Sequence, residues 1–391
     1  MRPDRNYAHR TVYRVALVHP HFRTDGGAER AALMTLRALE SKEIQVWVVS
    51  RSWQHTEGQI RLIQCNPFYL GRLWREWGFA RKAAKIAKSG GFDLVQSQVR
   101  FKGCDIYRAG GGVHAEWLNQ RKRINSPLRE ITTRISPFHA YKKKTERDLY
   151  ADPNLKAVIC NSKMVKNEIH HYFGFDKDKI HVIYNAVDTD YFSPDSCRTY
   201  RISIRRNLGL KSEHTVFLFV GSGFERKGLT QVLKCLARLP EDAHLLVVGK
   251  DKNMKRYVSL SQRLGIEHRV LFFGAQKDVL AYYAAANAFI LPTLYDAFAN
   301  TVLEAMSCGL PVITSRKCGA VDLIETGKNG FICDALDTQT LMLFMSELLS
   351  ETKRVTIGRA GRETIKDFSL TNMRRQLMLL YDSILDTKDH V

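Results

Sequence analysis

The chain has 391 residues, 45% hydrophobic and 26% charged, which is ordinary globular usage and length enough for two domains. Sixty Lys and Arg against forty Asp and Glu give a net charge of +20, and residues 1–195 hold 33 of the basic and 20 of the acidic residues. A basic first half calls for an anionic partner, whether nucleic acid, phosphorylated substrate or acidic membrane surface.

The longest run without a charged residue, Val279 to Tyr295, is seventeen residues, is broken by Asn287 and Pro292, and falls short of the about 20 apolar residues of a spanning helix. The charged N-terminus lacks the apolar core of a signal peptide. No two of the eight cysteines lie within four positions, so neither a zinc pattern nor a disulfide framework is present. These features lead us to expect reduced thiols and a cytoplasmic location.

In chain order the pattern alternates strand and helix. Val12–His19 is a β-rich run, followed by Gly26-Gly27 and then Ala28–Glu40 at helical spacing. Strands follow at Ile44–Ser50, Asp93–Ser97, Cys104–Tyr107, Ala157–Cys160 and His181–Tyr184. The rhythm breaks at NAVDTDYFSP, residues 185–194, a turn-rich stretch that we take as the domain boundary. It then restarts with strands at Val216–Val220, His244–Val248, Val270–Phe273, Ala288–Leu291 and Pro311–Thr314. Helices are expected from Lys227, from about Asn253, near 279–286 and near 300–308, and the chain reads as helical from Asp337. Alternating βα units predict an α/β fold with parallel sheets, in two Rossmann-like domains of residues 1–190 and 191–391.

Three strands of the second half end directly in Gly221, Gly249 and Gly274. Ligands of such sheets sit at the carboxyl ends of strands, where glycine admits close approach. Gly26-Gly27 makes either a phosphate-approach turn or only a tight turn. In Gly221-Ser-Gly223-Phe-Glu-Arg226-Lys227-Gly228, two cations on a Gly-rich turn suit a diphosphate, though no Walker loop is present. In Asp296-Ala-Phe-Ala-Asn-Thr-Val-Leu-Glu304, a carboxylate follows a strand and a helix begins near Asn300. The N–H groups of Phe298 to Thr301 are placed to meet a phosphate or a sugar hydroxyl. Two carboxylates, acceptor-only, suit diols, but spacing alone favours a capping Asp and an exposed Glu.

The motifs GGAER (26–30), NAVDTDYF (185–192), GSGFERKGL (221–229), VVGKDK (247–252) and DAFANTVLEAMSCGLPV (296–312) span most of the chain. Together they resemble the retaining glycosyltransferases of family 4, which have the GT-B fold. The resemblance implies a metal-independent, retaining transfer of a hexose, glucose by the nearest likeness. The donor would be a nucleoside-diphosphate sugar, UDP-linked, and the acceptor a lipopolysaccharide-core or other glycolipid or glycan. No cofactor is implied.

By the same resemblance Arg226 and Lys227 bind the donor diphosphate, with Gly26, Gly27, Gly223, Phe298, Asn300 and Thr301 around the donor. Glu304 holds the ribose, and Asp296 stands where the family has Glu and contacts the transferred sugar, one methylene shorter. His114, after Gly110-Gly111-Gly112, is placed near that sugar; a histidine of the cleft wall with its bonds satisfied fits the residues as well. His114, Asp296, Arg226 and Lys227 are the expected catalytic groups, with Asp25 and Glu29 as acceptor contacts. The final helix is expected to pack back on the N-terminal domain.

Arg121 to Arg147 carries nine basic residues (Arg121, Lys122, Arg123, Arg129, Arg134, Lys142, Lys143, Lys144, Arg147) against Glu130 and Glu146. Leu128, Ile131, Ile135 and Phe138 recur at helical spacing, with Pro137 as a kink. The segment reads either as a membrane-surface helix or as a core-facing helix with a solvated basic face. The resemblance favours the anionic inner face of the cytoplasmic membrane as a partner. Two other classes compete with transfer: a nucleic-acid-binding protein, which lacks any recognisable nucleic-acid motif here, and a non-catalytic sugar-binding protein, which the Asp296 departure motivates. No nucleic-acid partner is expected, and the residues leave the oligomeric state open.

Overall fold

A computed structural model describes residues 12–22, 35, 36, 39, 44–53 and 60–386. Seven strands form the first sheet: β1 (Tyr13–Val18), β2 (Ile44–Ser50), β3 (Arg61–Gln64), β4 (Leu94–Ser97), β5 (Ile106–Arg108), β6 (Ala157–Cys160) and β7 (Ile180–Val182). Their order is β3-β2-β1-β4-β5-β6-β7, all parallel. Six form the second: β8 (Thr215–Val220), β9 (Ala243–Val248), β10 (Val270–Gly274), β11 (Ala288–Leu291), β12 (Val312–Ser315) and β13 (Phe331–Cys333). These run β10-β9-β8-β11-β12-β13, again parallel. In each sheet the winding reverses beside the first strand, so a crevice opens at the carboxyl ends of β1 and β8.

The strands are buried on both faces, which is why they read as continuous apolar runs. All six residues of β8, TVFLFV, are buried. In β1 the alternation separates two cores. Ala16 and Val18 join Phe79, Ala83, Val165 and Ile169, contributed by α1 (Gly71–Ser89) and α5 (Lys163–Phe173). Val15 and Leu17 join Leu377, Leu380, Tyr381 and Ile384 of the last helix, α9 (Leu370–Asp386). Each of these four buried side chains stabilises by about 1.5–3 kcal/mol. The Tyr381 hydroxyl also donates to Gln96 Oε1 at 2.8 Å. The second half of the chain thus returns to complete the first sheet.

Between β5 and β6 lie α2 (His114–Lys122), α3 (Pro127–Arg134) and α4 (Pro137–Tyr150). Pro137 is not a kink within one helix, as expected from its position. It is the first residue of α4, where its missing N–H costs nothing. The helix expected from Lys227 is also two pieces, α6 (Phe224–Lys227) and α7 (Leu229–Leu236). Gly228 divides them at φ +82°, where a Cβ would lie 2.2 Å from the Pro292 carbonyl oxygen. The helix of the carboxylate motif is α8 (Asn300–Ser307).

Candidate functional site

At the carboxyl end of β8 the backbone is set by close packing. Gly249, after β9, has φ +138°, and a Cβ there would stand 2.0 Å from the Gly221 oxygen. Gly223 caps α6 at φ +79°. Arg226 and Lys227 therefore close a one-turn helix rather than open a long one, which places them favourably for the helix dipole. The Arg226 carbonyl accepts from the Leu294 N–H at 2.8 Å and the Thr293 hydroxyl at 3.1 Å. This ties the cationic turn to the loop between β11 and α8.

That loop carries Asp296. Its Oδ2 accepts from Arg226 Nη1 at 3.0 Å and from Lys227 Nζ, and its Oδ1 accepts from the Phe298 N–H at 3.2 Å. Lys227 is 7% exposed. Burial would raise the Asp296 carboxyl, but the Lys227 and Arg226 charges overcome it and hold the group well below the usual carboxylate range. Burial pushes the Lys227 ammonium down despite Asp296. Two corrections follow. The Phe298 N–H faces Asp296 rather than open cleft, and Asp296 orders the two cations as well as standing where a sugar contact was expected. One carboxylate thus meets both cations and the backbone two residues on.

At the start of α8, Asn300 Oδ1 accepts from Asn185 Nδ2 at 2.7 Å, and Asn185 in turn accepts from the buried Arg108 at 3.0 Å. Thr301 Oγ1 is buried without a hydrogen-bond partner among the described residues. Glu304 is buried, and its Oε2 accepts from the Tyr283 hydroxyl at 2.8 Å.

Across the cleft, His114 begins α2. Its N–H donates to Glu146 Oε1 at 2.8 Å, and its Nε2 lies 3.0 Å from His139 Nδ1. Burial, with Arg100, His139 and Lys142 nearby, pushes the imidazole down to about 3, so it is neutral at physiological pH. The three glycines before it differ. A Cβ on Gly110 or Gly111 would meet nothing within 4 Å, but one on Gly112 (φ +67°) would stand 2.1 Å from the Tyr295 hydroxyl. One glycine of the run serves the protein's own packing, and two face open space. Asp25, Gly26, Gly27 and Glu29 lie outside the described residues.

The basic segment divides. Arg129 makes a bidentate pair with Glu225 at 2.8 and 2.8 Å, and Arg123 meets Asp334 at 2.6 Å, both reaching the second half of the chain. Lys142 pairs with Glu76, and Lys122 lies 3.8 Å from Glu130. Four of the nine expected membrane residues are thus in ion pairs. Arg134, Lys143, Lys144 and Arg147 are exposed and Arg121 is half-buried. The core-facing alternative is overturned for α3 and the residue after it: Leu128, Ile131 and Ile135 are exposed, at 73%, 57% and 74%.

Sequence reasoning missed Tyr295, Glu168, Lys317 and Asn185, all of which bridge the halves. Tyr295 stands next to Asp296 in an apolar run, and Asn185 opens the boundary segment. Those positions were the available signals. Among the described residues no cluster of three His, Cys, Asp or Glu could hold a metal, and no helix is long and apolar enough to cross a membrane.

Two Rossmann-like sheets, with a cationic Gly-rich turn and an α8 N-terminus facing a second sheet's strand ends, are the build of a GT-B glycosyltransferase. A family model described as Glycosyltransferase Family 4 matches residues 25–191, and one described as Glycosyl transferases group 1 matches residues 201–364. The chain belongs to these glycosyltransferases, family 4 in its first part and group 1 in its second. The lipopolysaccharide glucosyltransferase WaaG of Escherichia coli K12 is 28% identical over 312 residues, 78% of this chain and 81% of that protein. The solved structure of WaaG, a glycosyltransferase involved in lipopolysaccharide biosynthesis, matches with TM-score 0.79 at 21% identity, over 93% of this chain and 98% of that one. HepE of Anabaena, in complex with UDP and glucose, matches with TM-score 0.71 at 20% identity, over 95% and 100%.

Proposed function

We propose that this chain moves a hexose from a UDP-linked donor to a lipopolysaccharide-core or related glycolipid acceptor, with retention of anomeric configuration and without a metal ion. The observation that carries the reading is the Arg226–Lys227–Asp296 cluster at the Gly-rich end of β8, beside the start of α8. The second half holds the donor, with the ribose at Glu304. The first holds the acceptor beside His114. As the bond to the sugar breaks, negative charge grows on the leaving diphosphate. Preorganised cations and helix N–H groups near Asn300–Thr301 stabilise that charge without reorganising. Arg226 offers a fork and Lys227 a point charge. Asp296 keeps both in place and leaves the net charge of the trio positive.

The neutral His114 suits a hydrogen bond to a sugar hydroxyl. Asp296, the carboxylate expected beside the transferred sugar, is not free to act as a nucleophile, since both its oxygens are bound. This supports a front-side route in which the leaving phosphate takes the acceptor's proton. The Asp-X-Asp pairs, often metal ligands in sugar transfer, are used in turns. Asp188 accepts from the N–H groups of Asp190 and Tyr191, and Asp176 from that of Asp178.

Attachment to the inner face of the cytoplasmic membrane belongs to the same reading. Exposed Leu128, Ile131 and Ile135 lie near exposed Arg134, Lys143 and Lys144. Leu70, which caps the neighbouring α1, and Trp74 and Trp77 on it are exposed around Tyr141 of α4, and Arg72 stacks 3.8 Å over Phe138. Aromatic and aliphatic groups ringed by cations suit an anionic interface.

A thermal-shift screen of UDP-, GDP- and ADP-sugars tests the donor. The right nucleotide at a hundredfold excess over Kd stabilises by about 2.7 kcal/mol. Release of UDP from UDP-glucose, dependent on heptose-terminated inner-core oligosaccharide and unchanged by EDTA, is the expected activity. An axial anomeric proton in the product, read by NMR, would contradict retention from an α-linked donor.

A further inference from the structure

Tyr295 and Lys317 reach from the second half of the chain into the first. The Tyr295 hydroxyl donates to Glu168 Oε2 at 2.7 Å and accepts from the Val113 N–H at 2.9 Å. Lys317 Nζ bonds Glu168 at 3.0 Å and Glu116 at 2.7 Å, and Glu116 also accepts from the Tyr172 hydroxyl at 2.7 Å. Tyr295 is 3% exposed. Each end of its hydrogen-bond chain sits one residue from a group at the cleft: Tyr295 precedes Asp296, and Val113 precedes His114. Consecutive Cα atoms are about 3.8 Å apart, so fixing one residue leaves its neighbour little travel.

We propose that Tyr295 is a positioning residue that sets Asp296 and its two cations at a fixed distance from His114, with Glu168 as the acceptor that aims its hydroxyl. The inference rests on the donor and acceptor roles proposed above. Three observations separate it from ordinary packing. The phenol makes a hydrogen bond to a carboxylate, stronger than one between neutral groups. The same oxygen receives the backbone N–H that leads into α2, so one atom joins the halves. The chain also makes room for it: Gly112 has the backbone conformation and the missing side chain that admit the phenol oxygen. Gly112 of the tri-glycine run is thereby explained by Tyr295. Lys317 stands behind Glu168 and Glu116 and holds both carboxylates in the buried boundary.

A phenylalanine fills nearly the same volume, so packing alone would tolerate Tyr295→Phe. The experiment uses the full chain with UDP-glucose and heptose-terminated inner-core oligosaccharide. Tyr295→Phe is expected to lower kcat by about 10- to 100-fold, the scale of an ångström of misplacement. UDP affinity by calorimetry should stay within about twofold, because the groups proposed to hold the ribose and most of the diphosphate, Glu304, Arg226 and Lys227, belong to the second half. Glu168→Gln keeps an oxygen that accepts from the phenol and should recover most of kcat, whereas Glu168→Leu should match Tyr295→Phe.

A dye pair, one on each half, gives a readout that needs no turnover: with UDP present, Tyr295→Phe should broaden the interdomain distance distribution. Wild-type kcat in Tyr295→Phe, parallel loss of UDP affinity, or an unchanged distance distribution would each overturn the proposal. If the wild type releases no UDP from any donor, the proposed reaction fails while the distance measurement still decides the role of Tyr295. If Tyr295→Phe folds poorly, Gly112→Ala, which pushes on the phenol from the other side, takes its place in the distance measurement, and wild-type behaviour there overturns the proposal.

Discussion

The two sheets share one winding order, yet the cleft edges they present are built from different materials. On the second sheet the edge is backbone: Gly221, Gly249, Gly223 and Gly228 fix the turns, and two cations close on one carboxylate. Among the described residues of the first sheet's edge, beyond Gly110 and Gly111, the contacts are between side chains: His114 on His139, Arg100 on Glu146, Arg129 on Glu225. A backbone-built edge has little freedom and suits the part of a substrate that does not vary, a nucleoside diphosphate. A side-chain edge can change by substitution without disturbing the fold, and suits an acceptor.

The largest expected effect tests the first edge. Lys227→Ala leaves Asp296 buried with one cation fewer, and breaking a buried pair this way costs about 3–5 kcal/mol. Arg226→Ala, at a more exposed cation, should cost about 2–4 kcal/mol of transition-state stabilisation, seen in kcat/KM. If either enzyme turns over normally while folded, the edge is not a diphosphate clamp. Gly249→Ala should lose about 1–3 kcal/mol of unfolding free energy in a urea titration, because a methyl group cannot share space with the Gly221 oxygen. No loss there would mean that the turn is not fixed by backbone contact.

The second edge should respond to charge. Reversing Arg134, Lys143 and Lys144 together to Glu is expected to remove about 3 kcal/mol of attraction to anionic vesicles, at about 1 kcal/mol per basic residue. Activity on a soluble acceptor should persist. Lys142 is left intact because it pairs with Glu76. Equal binding to neutral vesicles would dismiss an electrostatic anchor.

Smaller effects sharpen the contrast. Glu304→Gln should weaken UDP binding by roughly 1 kcal/mol, as an amide offers one acceptor oxygen instead of two; calorimetry decides. His114 has a folded pKa pushed down to about 3 against an ordinary 6.5. The unfolded chain therefore binds a proton that the folded one refuses, and this contribution to stability is lost as pH falls from 6.5 toward 3. His114→Gln should flatten the urea midpoint over that window. An unchanged slope would place the imidazole in water.

Most strand positions and the Gly-rich turns were legible in the sequence because each follows from a local rule, apolar runs between turn residues and glycines where backbone meets backbone; the short edge strands β3 and β13, of four and three residues, were not. The Arg226–Lys227 pair was legible for the same reason, but its carboxylate partner was not, because Asp296 lies seventy residues on. Long-range ion pairs leave no local mark. Arg129 and Arg123 read as parts of a basic helix until their partners, Glu225 and Asp334, came from the other half of the chain. The stripe of Leu128, Ile131 and Ile135 could not be assigned to core or surface, since periodicity fixes a face and not what covers it. Gly112 gave no sign in the sequence that its missing side chain makes room for Tyr295, 183 positions away.

The placement of α9 has a consequence for synthesis. Strand β7 ends at Val182, and the helix that covers one face of its sheet begins at Leu370. At about 5–20 residues per second the ribosome needs roughly 10–40 s to supply it. Throughout that interval Val15, Leu17 and Val46 lack the apolar cover that Leu377 and Tyr381 provide. The sheet made first is finished last. A premature stop that spares every residue of the cleft would still leave the nascent protein with an open apolar face, and with a claim on chaperones that the full-length chain does not have.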